Sequence, residues 1–320
     1  MENAKKPSKK LVATGIGLAV IIVILAAVQF FRIGKRSPVS DLHRYDYRDT
    51  RQLVALTARA AALIKDKGEH AFESFRKNPG SWSLDGNSYL YVYDMEGVNL
   101  FHGGYPELKG QNLIELTDLD GKKPVNIIID QLENHGADNP HGWSHYLWVP
   151  PGAINLVWKS SCNFKVIMPD GREVFVGSGI DSPLQEKEFY RIIVDEAVEL
   201  LRREGPTGLE EIKSPDSHFS IHDRGVFVIK RDGTAIIDPG LNLDLPRNLF
   251  EYQDSSGRRP VMELSKQLLT NENGWVIMLH RGRKGSKPIK KGIYGRRVNI
   301  DGEDLIVGVI CPMPHPAWMR

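Results

Sequence analysis

The sequence predicts an α+β protein in which an N-terminal transmembrane helix precedes two copies of one module. Each module is expected to hold a long N-terminal helix and a five-stranded antiparallel sheet. Three observations lead to this prediction. Residues 11–31 form one uncharged apolar run. The residues after this run repeat themselves at a nearly constant offset. Within each repeat, apolar residues recur first at the spacing of a helix and then with the alternation of strands.

The apolar run from Leu11 to Phe31 has the length of a transmembrane helix. Its 21 residues carry no formal charge, and at about 1.5 Å per residue such a helix extends about 30 Å, the thickness of a hydrocarbon core. A cleaved signal peptide is the alternative, but the run is long for one and no small-x-small site ends it. We expect a single-pass anchor with residues 1–10 in the cytoplasm and the globular part outside.

The rest of the chain contains an internal repeat. Matching features are separated by 136 or 137 residues at first and by 132 or 131 residues further on. An ordered series with few gaps is not typical of two unrelated segments of similar composition. The matched pairs include Gly68 with Gly205, Gly97 with Gly233, Asn112 with Asn248, Gly142-Trp143 with Gly274-Trp275, Lys159 with Lys291, and Gly177 with Gly308.

Both copies show the same succession of elements. The first copy is predicted to have a helix at 47–77, a hairpin at 89–94 and 98–102, a short helix at 123–134, and strands at 142–148, 156–168 and 173–180. The second copy is predicted to have a helix that begins with a capping box at Ser182–Gln185 and ends at Gly205, a hairpin at 226–230 and 234–238, a short helix at 259–270, and strands at 274–280, 290–299 and 303–310. The predicted domains are a first module at 45–180, a connecting helix at 181–205, a second module at 206–311 and a tail at 312–320.

Composition and motifs exclude several classes of protein. The net charge of +2 and the lack of a long basic stripe argue against a nucleic-acid-binding protein. Cys162 and Cys311 are the only cysteines, which excludes a disulfide framework and favours two free buried thiols over one long-range bridge. Glycine-rich phosphate loops and cysteine-pair metal motifs are absent, and no serine, histidine and aspartate set has a motif context. We therefore expect a protein that is not an enzyme and needs no cofactor.

The motifs of the first copy resemble the Cache domain, a PAS-like extracytoplasmic sensor module of chemoreceptors and histidine kinases. The resemblance covers residues 45–180 well and 190–311 more loosely. The residues that carry it are Tyr91-Val92-Tyr93-Asp94 with Gly97, His102, Gly110 and Asn112-Leu113, Asp118 to Val125, Gly142-Trp143 with Tyr146 and Trp148, Lys159, and Val176-Gly177 with Gly179-Ile180.

The resemblance implies a tandem Cache protein at a bacterial or archaeal cell membrane, with its globular part periplasmic or extracellular. It also implies a small carboxylate or amino compound as the ligand. Because the sequence stops soon after the second copy, we expect no output domain of its own and action through a partner such as a histidine kinase or a chemoreceptor.

Aromatic residues on alternate strand positions indicate where a ligand would bind. Strand alternation places Tyr89, Tyr91 and Tyr93 on one face of the sheet, and Tyr146 and Trp148 likewise share a face. Rings that exclude water strengthen a charge-assisted hydrogen bond to a carboxylate. Lys159 is the candidate cation, and His102 is the candidate second donor. Trp143 is assigned to the scaffold, since it recurs in the second copy.

Two alternatives stay open at this point. Aromatic side chains on a strand are often core residues, so the protein could instead be a structural or interaction protein whose pockets are filled by its own side chains. A metal-dependent enzyme is the weaker alternative, based on His135, His141 and His145 in a loop that contains Asp138. Their spacing matches no known zinc pattern, and we expect no bound metal.

Overall fold

The computed structural model describes residues 42–313, except 85, 87, 135–140, 215, 223, 239–245 and 281–286. Within this part of the chain, none of the helices combines the length and the apolar character that crossing a membrane would require. The predicted anchor at 11–31 lies outside the described residues.

The described chain alternates helices with antiparallel strands, as expected for the α+β class. The helices are α1 (Arg48–Lys67), α2 (His70–Lys77), α3 (Pro124–Asn134), α4 (Lys187–Glu204), α5 (Gly208–Lys213) and α6 (Pro260–Gln267). Short 3-10 segments span Leu42–Arg44, Pro79–Trp82, Pro106–Leu108, Gly205–Thr207 and Leu249–Glu251. The strands are β1 (Tyr91–Asp94), β2 (Asn99–His102), β3 (Gly142–Trp148), β4 (Val157–Ile167), β5 (Glu173–Asp181), β6 (Ser220–Ile221), β7 (Arg224–Lys230), β8 (Ala235–Ile237), β9 (Asn273–His280), β10 (Ile289–Ile300) and β11 (Glu303–Pro312).

Two predicted helices differ from the structure. The helix predicted at 47–77 is divided into α1 and α2, because Gly68 ends α1 at a φ of 55° while its N–H still donates to the Ile64 carbonyl. The capping box predicted at Ser182 does not form. Ser182 has a φ of 50° and its N–H donates to the Trp158 carbonyl, so it remains tied to β4, and α4 begins only at Lys187.

The strands form two sheets of related order. The N-terminal sheet has the order β2-β1-β5-β4-β3, which is the predicted five-stranded antiparallel sheet. The C-terminal sheet has six strands: β9, β10, β11 and β7 follow in the corresponding order, and β8 and the short β6 both pair with β7. The prediction of five strands for the second sheet missed β6, whose two residues are too few to give a sequence signal.

The hydrogen bonds of the connecting loops also correspond between the two halves. The side-chain amide of Asn112 donates to the Glu96 carbonyl, and that of Asn248 donates to the Asp232 carbonyl, at 2.9 Å in both cases. A carboxylate oxygen of Asp118 accepts from the backbone N–H of Leu147, as Asp254 accepts from Leu279. Positions paired by the sequence repeat therefore make equivalent backbone contacts.

Both faces of the N-terminal sheet are covered. Helix α1 packs on β4 and β5 on one face, where Val92, Phe164 and Val176 are buried. Helix α3 covers β3 and part of β4 on the other face, where Ile128 and Ile129 meet tyrosines of β1. The same layering recurs in the C-terminal sheet, with α4 on one face and α6 on the other.

Helix α4 joins the two halves. Phe189, on the first turn of α4, packs against Trp143 of β3 with a ring separation of 4.5 Å. The Trp143 indole N–H donates to the Tyr45 hydroxyl, which pairs with His141. These side chains belong to one apolar core that continues into the C-terminal sheet. Trp143 thus has the scaffold role expected from the sequence.

A carboxylate at the start of α4 caps the start of α1. Glu186 is fully buried, and its two carboxylate oxygens accept the backbone N–H groups of Asp46 and Tyr47 at 2.7 and 2.8 Å. The N–H groups at a helix start have no partner within the helix. A residue 140 positions away therefore supplies the negative charge that this helix end requires.

Replacing Glu186 with Gln should lower the free energy of unfolding by about 1.5–3 kcal/mol. One of the two accepting oxygens is then replaced by an NH₂ group, which cannot accept a hydrogen bond, and the other oxygen loses its charge. Urea unfolding followed by tryptophan fluorescence measures the change. Glu199→Gln is the matched control, because Glu199 lies on the same helix with more than half of its side chain exposed. It should change the stability by less than about 0.5 kcal/mol. Equal stability of both variants would contradict the capping role.

Candidate functional site

A small cavity lies between the N-terminal sheet and helix α3. Its volume is about 30 Å³. Its lining consists mainly of aromatic side chains, with apolar residues from α3 and from the loop before it. The lining residues are Tyr89, Tyr91, Tyr93, His102, Leu116, Pro124, Val125, Ile128, Tyr146, Trp148 and Phe175. Five of the six residues singled out in the sequence therefore come together here, and Lys159 is not among the lining residues.

Strand alternation and one glycine place the rings in this cavity. Tyr91 faces the cavity, and its cross-strand neighbours are His102 and Gly177. A Cβ atom at Gly177 would approach the Tyr91 ring to 2.4 Å, so only glycine lets the ring lie across β5. The Tyr91 hydroxyl then donates to Asn163 at 2.8 Å. The ring and its polar end are both fixed by the sheet.

His102 is the centre of the aromatic group. Its ring lies 5.0 Å from the Tyr89 ring, 5.9 Å from that of Tyr91 and 6.5 Å from that of Trp148. Its Nδ1 accepts the backbone N–H of Tyr105 at 2.9 Å, so the neutral ring carries its proton on Nε2. Burial, together with the nearby charge of Lys159, lowers the pKa of His102 to about 4. At neutral pH His102 is an uncharged hydrogen-bond donor.

Trp148 carries a buried donor. Its indole N–H has no hydrogen-bond partner among the residues that the structure describes. The N–H group lies near the Tyr89 hydroxyl. Burial raises the pKa of Tyr89, and the contact with Trp148 lowers it in part. A buried N–H without a partner costs about 1–3 kcal/mol. Such a group is a candidate for contact with a ligand.

Lys159 lies behind Tyr89. Its ammonium is 4.5 Å from the centre of the Tyr89 ring and 3.5 Å from the Tyr89 hydroxyl. It is almost fully buried and forms an ion pair of 2.9 Å with Asp181. Asp181 is the residue of β5 directly opposite Lys159 of β4. Gly179 leaves room for the lysine side chain, since a Cβ atom there would approach it to 2.7 Å. Lys159 thus lies outside the wall of the cavity, and its charge acts on His102 from behind Tyr89.

An apolar pocket of about 470 Å³ adjoins the cavity. The two share Leu116, Pro124 and Trp148 as lining residues. We call this larger space the outer pocket; its other lining residues are Tyr105, Leu108, Thr117, Asp118, Leu119, Leu147, Val149 and Leu156. A third space, a groove of about 700 Å³, lies beside α1 and the segment Pro79–Trp82; it includes Asp49 and Asp181, and its described lining contains no cationic side chain.

The corresponding positions of the C-terminal sheet carry different chemistry. Phe227 replaces Tyr91 and is fully buried beside Gly308, while Met278 replaces Tyr146 and is also fully buried. Both belong to an apolar cluster formed with α6. Of the six candidate residues, Lys159 alone has a counterpart of the same type, Lys291, which is buried as well. The tyrosines of the first cavity are therefore replaced by apolar side chains in the second half, whereas His102 and Trp148 have the polar counterparts Asp238 and His280.

Of the three histidines considered for a metal site, the structure describes His141 and His145, and each contacts another side chain. His141 bonds to Tyr45, whereas His145 lies within β3 rather than in a loop and contacts the Ser160 hydroxyl at 2.8 Å. His135 and Asp138 are outside the described residues. Within the described ranges, no group of three or more His, Cys, Asp or Glu side chains could hold a metal ion. Cys162 and Cys311 are free and buried, as the sequence predicts.

Sequence reasoning missed several residues of the site. Strand alternation placed Tyr89 on the same face as Tyr91 and Tyr93, but it was not included among the candidate binding residues. Phe175 and the α3 residues became visible only when the sheet and helix were packed together. Asp181, the partner of Lys159, gave no signal because their pairing depends on the register of β4 with β5.

The chain matches the Cache domain family over residues 80–309. It belongs to the Cache domain family. Cache domains are extracytoplasmic modules of sensor proteins that bind small molecules. In a comparison with curated proteins, none matches the chain.

Several solved structures of sensor domains are similar to the chain. A periplasmic sensor domain of a chemotaxis protein is 25% identical, with a TM-score of 0.35, over 41% of this chain and 94% of that one. The periplasmic sensory domain of a Campylobacter jejuni chemoreceptor is 12% identical, with a TM-score of 0.31, over 82% and 87%. The ligand-binding domain of a Pseudomonas aeruginosa amino acid chemoreceptor, in complex with L-arginine, is 9% identical, with a TM-score of 0.26, over 89% and 94%.

The lowered pKa of His102 predicts an acid-sensitive contribution to stability. The unfolded chain takes up a proton near pH 6.5, but the folded chain does so only near pH 4. The free energy of unfolding should therefore fall as the pH drops from 6.5 to 4, by up to about 3 kcal/mol for this group. His102→Asn keeps an acceptor for the Tyr105 N–H and should remove this part of the pH dependence.

Urea unfolding between pH 4 and 7.5 measures the effect. His43→Asn is the control, because His43 is exposed and should leave the curve unchanged. The same pH dependence in wild type and His102→Asn would show that His102 is not held neutral by its surroundings.

Proposed function

We propose that this chain is a membrane-anchored extracytoplasmic sensor that binds a small organic acid in the aromatic cavity of its N-terminal half. The observation that carries the proposal is the set of hydrogen-bond donors at that cavity. Among the described residues, the buried Trp148 N–H has no hydrogen-bond partner of normal geometry, although it lies near the Tyr89 hydroxyl, and His102 carries a neutral Nε2–H. Lys159 adds positive potential from behind Tyr89.

The chemistry of the lining favours an anion. Rings exclude water from the cavity, and in such surroundings a hydrogen bond to a carboxylate is stronger than one in water. The lining offers donors, while the nearest carboxylate, that of Asp181, is already paired with Lys159. An amine would bring a second cation close to Lys159. A carboxylate therefore suits the electrostatics better than an amino compound does.

The size of the cavity limits how much of the ligand it can hold. A volume of about 30 Å³ is about two to three times the 10–15 Å³ that a cavity needs to hold one water molecule. The cavity thus holds a carboxylate group only, and the rest of the ligand must lie outside it or move the surrounding side chains. Binding would then favour one arrangement of the shared wall, and a partner can read that shift in population.

We further propose that the two halves are two Cache modules, at 45–180 and 206–311, connected by the helix that opens the second. The match to one family over both sheets and the equivalent loop hydrogen bonds support this division. The apolar side chains of the second module, such as Phe227 and Met278, support a structural role for it. The uncharged run at 11–31 would anchor the chain in a bacterial or archaeal membrane, where a histidine kinase or a chemoreceptor would be its partner.

Small carboxylates should raise the melting temperature of the full chain in lipid nanodiscs, since a ligand at one hundred times its dissociation constant adds about 2.7 kcal/mol of stability. Trp148→Phe keeps the ring but removes the N–H, and should weaken acid binding by about 1.5–3 kcal/mol. Trp158→Phe is the control, because Trp158 packs against His222 and not in the cavity. Cavities filled only by the protein's own side chains would give no thermal shift with any acid, which would refute the proposal.

The anchor has a separate test. The full chain expressed in bacteria should remain in the membrane fraction after a carbonate wash, because residues 11–31 supply enough apolar length to span the bilayer. Deleting residues 11–31 should release it into the soluble fraction. Mass spectrometry should give the mass of the intact chain, which would show that the segment is not cleaved. Recovery of the full-length chain in the soluble fraction would contradict the anchor.

A further inference from the structure

We infer that the ligand is an amphipathic carboxylate, with a carboxylate head in the aromatic cavity and an aliphatic chain in the outer pocket. This inference rests on the proposed function and names the ligand class for the same site. The outer pocket adjoins the cavity, since Leu116, Pro124 and Trp148 line both, so a ligand that displaces these side chains can occupy the two spaces together. The N–H of Trp148 donates to the carboxylate head group, and its ring packs against the aliphatic chain of the ligand.

The size of the outer pocket fits this role. Its volume of about 470 Å³ lies within the range of small-molecule sites, about 300–1,000 Å³. The aromatic cavity is far smaller and holds no more than a head group. A ligand that uses both spaces must therefore be polar at one end and long beyond it.

The lining of the outer pocket fits an aliphatic chain better than a polar group. Five leucines line it, and three of them are exposed at its mouth: Leu116 at 40%, Leu119 at 76% and Leu156 at 41%. Apolar side chains exposed together around a hollow are a frequent sign of a binding site.

The one charged side chain among the described residues of this lining is already used. The Oδ1 atom of Asp118 accepts the N–H groups of Asp120 and Lys122, each at 2.9 Å, and Oδ2 accepts that of Leu147. The carboxylate is thus committed to holding the loop against the end of β3. A ligand in the outer pocket would therefore make mainly apolar contacts. The pocket should distinguish ligands by the length of their aliphatic chain rather than by a second charged group.

The test is a series of carboxylates that differ only in chain length. Acetate, butyrate and hexanoate are titrated by calorimetry into the full chain in nanodiscs, with empty nanodiscs subtracted. Each added methylene that is buried should raise the affinity about fourfold, so hexanoate should bind roughly tenfold or more tightly than butyrate. Hexylamine, with a similar apolar tail and the opposite charge, should bind more weakly than hexanoate.

The variant Leu119→Ser/Leu156→Ser tests the pocket itself. The readout is the ratio of hexanoate affinity to acetate affinity, which should fall about tenfold when two apolar walls are lost. Leu269→Ser is the control, because Leu269 is 60% exposed and lies beyond the end of α6, outside the outer pocket. It should leave the ratio unchanged.

The outcomes separate the two proposals. Equal affinities for all three acids, still weakened by Trp148→Phe, would overturn the amphipathic ligand and keep the acid site. No binding of any acid would overturn both. An unchanged affinity ratio in the double variant, with a shift from dimer to monomer by mass photometry, would assign the leucines to contact between two copies of the chain and overturn the inference.

Discussion

The N-terminal sheet is buried on both of its faces, and the arrangement of the site depends on this. Successive side chains of a strand point to opposite faces, so each strand must satisfy two different environments at once. On β3, Trp143 and His145 pack toward α4, whereas Tyr146 and Trp148 turn toward α3 and the cavity. A buried polar group on either face needs a hydrogen-bond partner. Most find one within the sheet, as Tyr91 does with Asn163, and the Trp148 indole N–H is an exception.

The two halves keep the residues that satisfy backbone groups and differ in the residues that line the cavity. Asn112 and Asn248 bind equivalent carbonyls, and Asp118 and Asp254 fix equivalent loops to the strand that follows. Losing such a residue would remove a hydrogen bond that fixes the loop, and this loss would destabilise the loop in either half. The cavity side chains are under no such constraint. The phenol rings of Tyr91 and Tyr146 in the first half are replaced by Phe227 and Met278 in the second, so their hydroxyl groups are absent there.

The cavity and the contact between the halves are on opposite faces of the same strand. Phe189 at the start of α4 touches Trp143 and His145, and His145 directly precedes Tyr146 of the cavity. Glu186, just before α4, caps α1, which packs on the centre of the same sheet. A displacement of β3 would therefore be felt at the first turn of α4 through direct packing. Close packing transmits such movements because protein interiors contain little free volume.

The sequence by itself determined the α+β class, the internal repeat, the order of elements and the face of the sheet that carries the aromatic side chains. These features depend on local periodicity and on glycine turns, and both can be recognised within one short stretch of sequence. Only the tertiary structure decided that Lys159 lies behind Tyr89 and pairs with Asp181, that Glu186 caps a distant helix instead of a capping box forming at Ser182, and that an apolar pocket adjoins the cavity. Each of these depends on strand register or on packing between segments far apart in the chain. Pairing across such distances leaves no pattern in the local sequence.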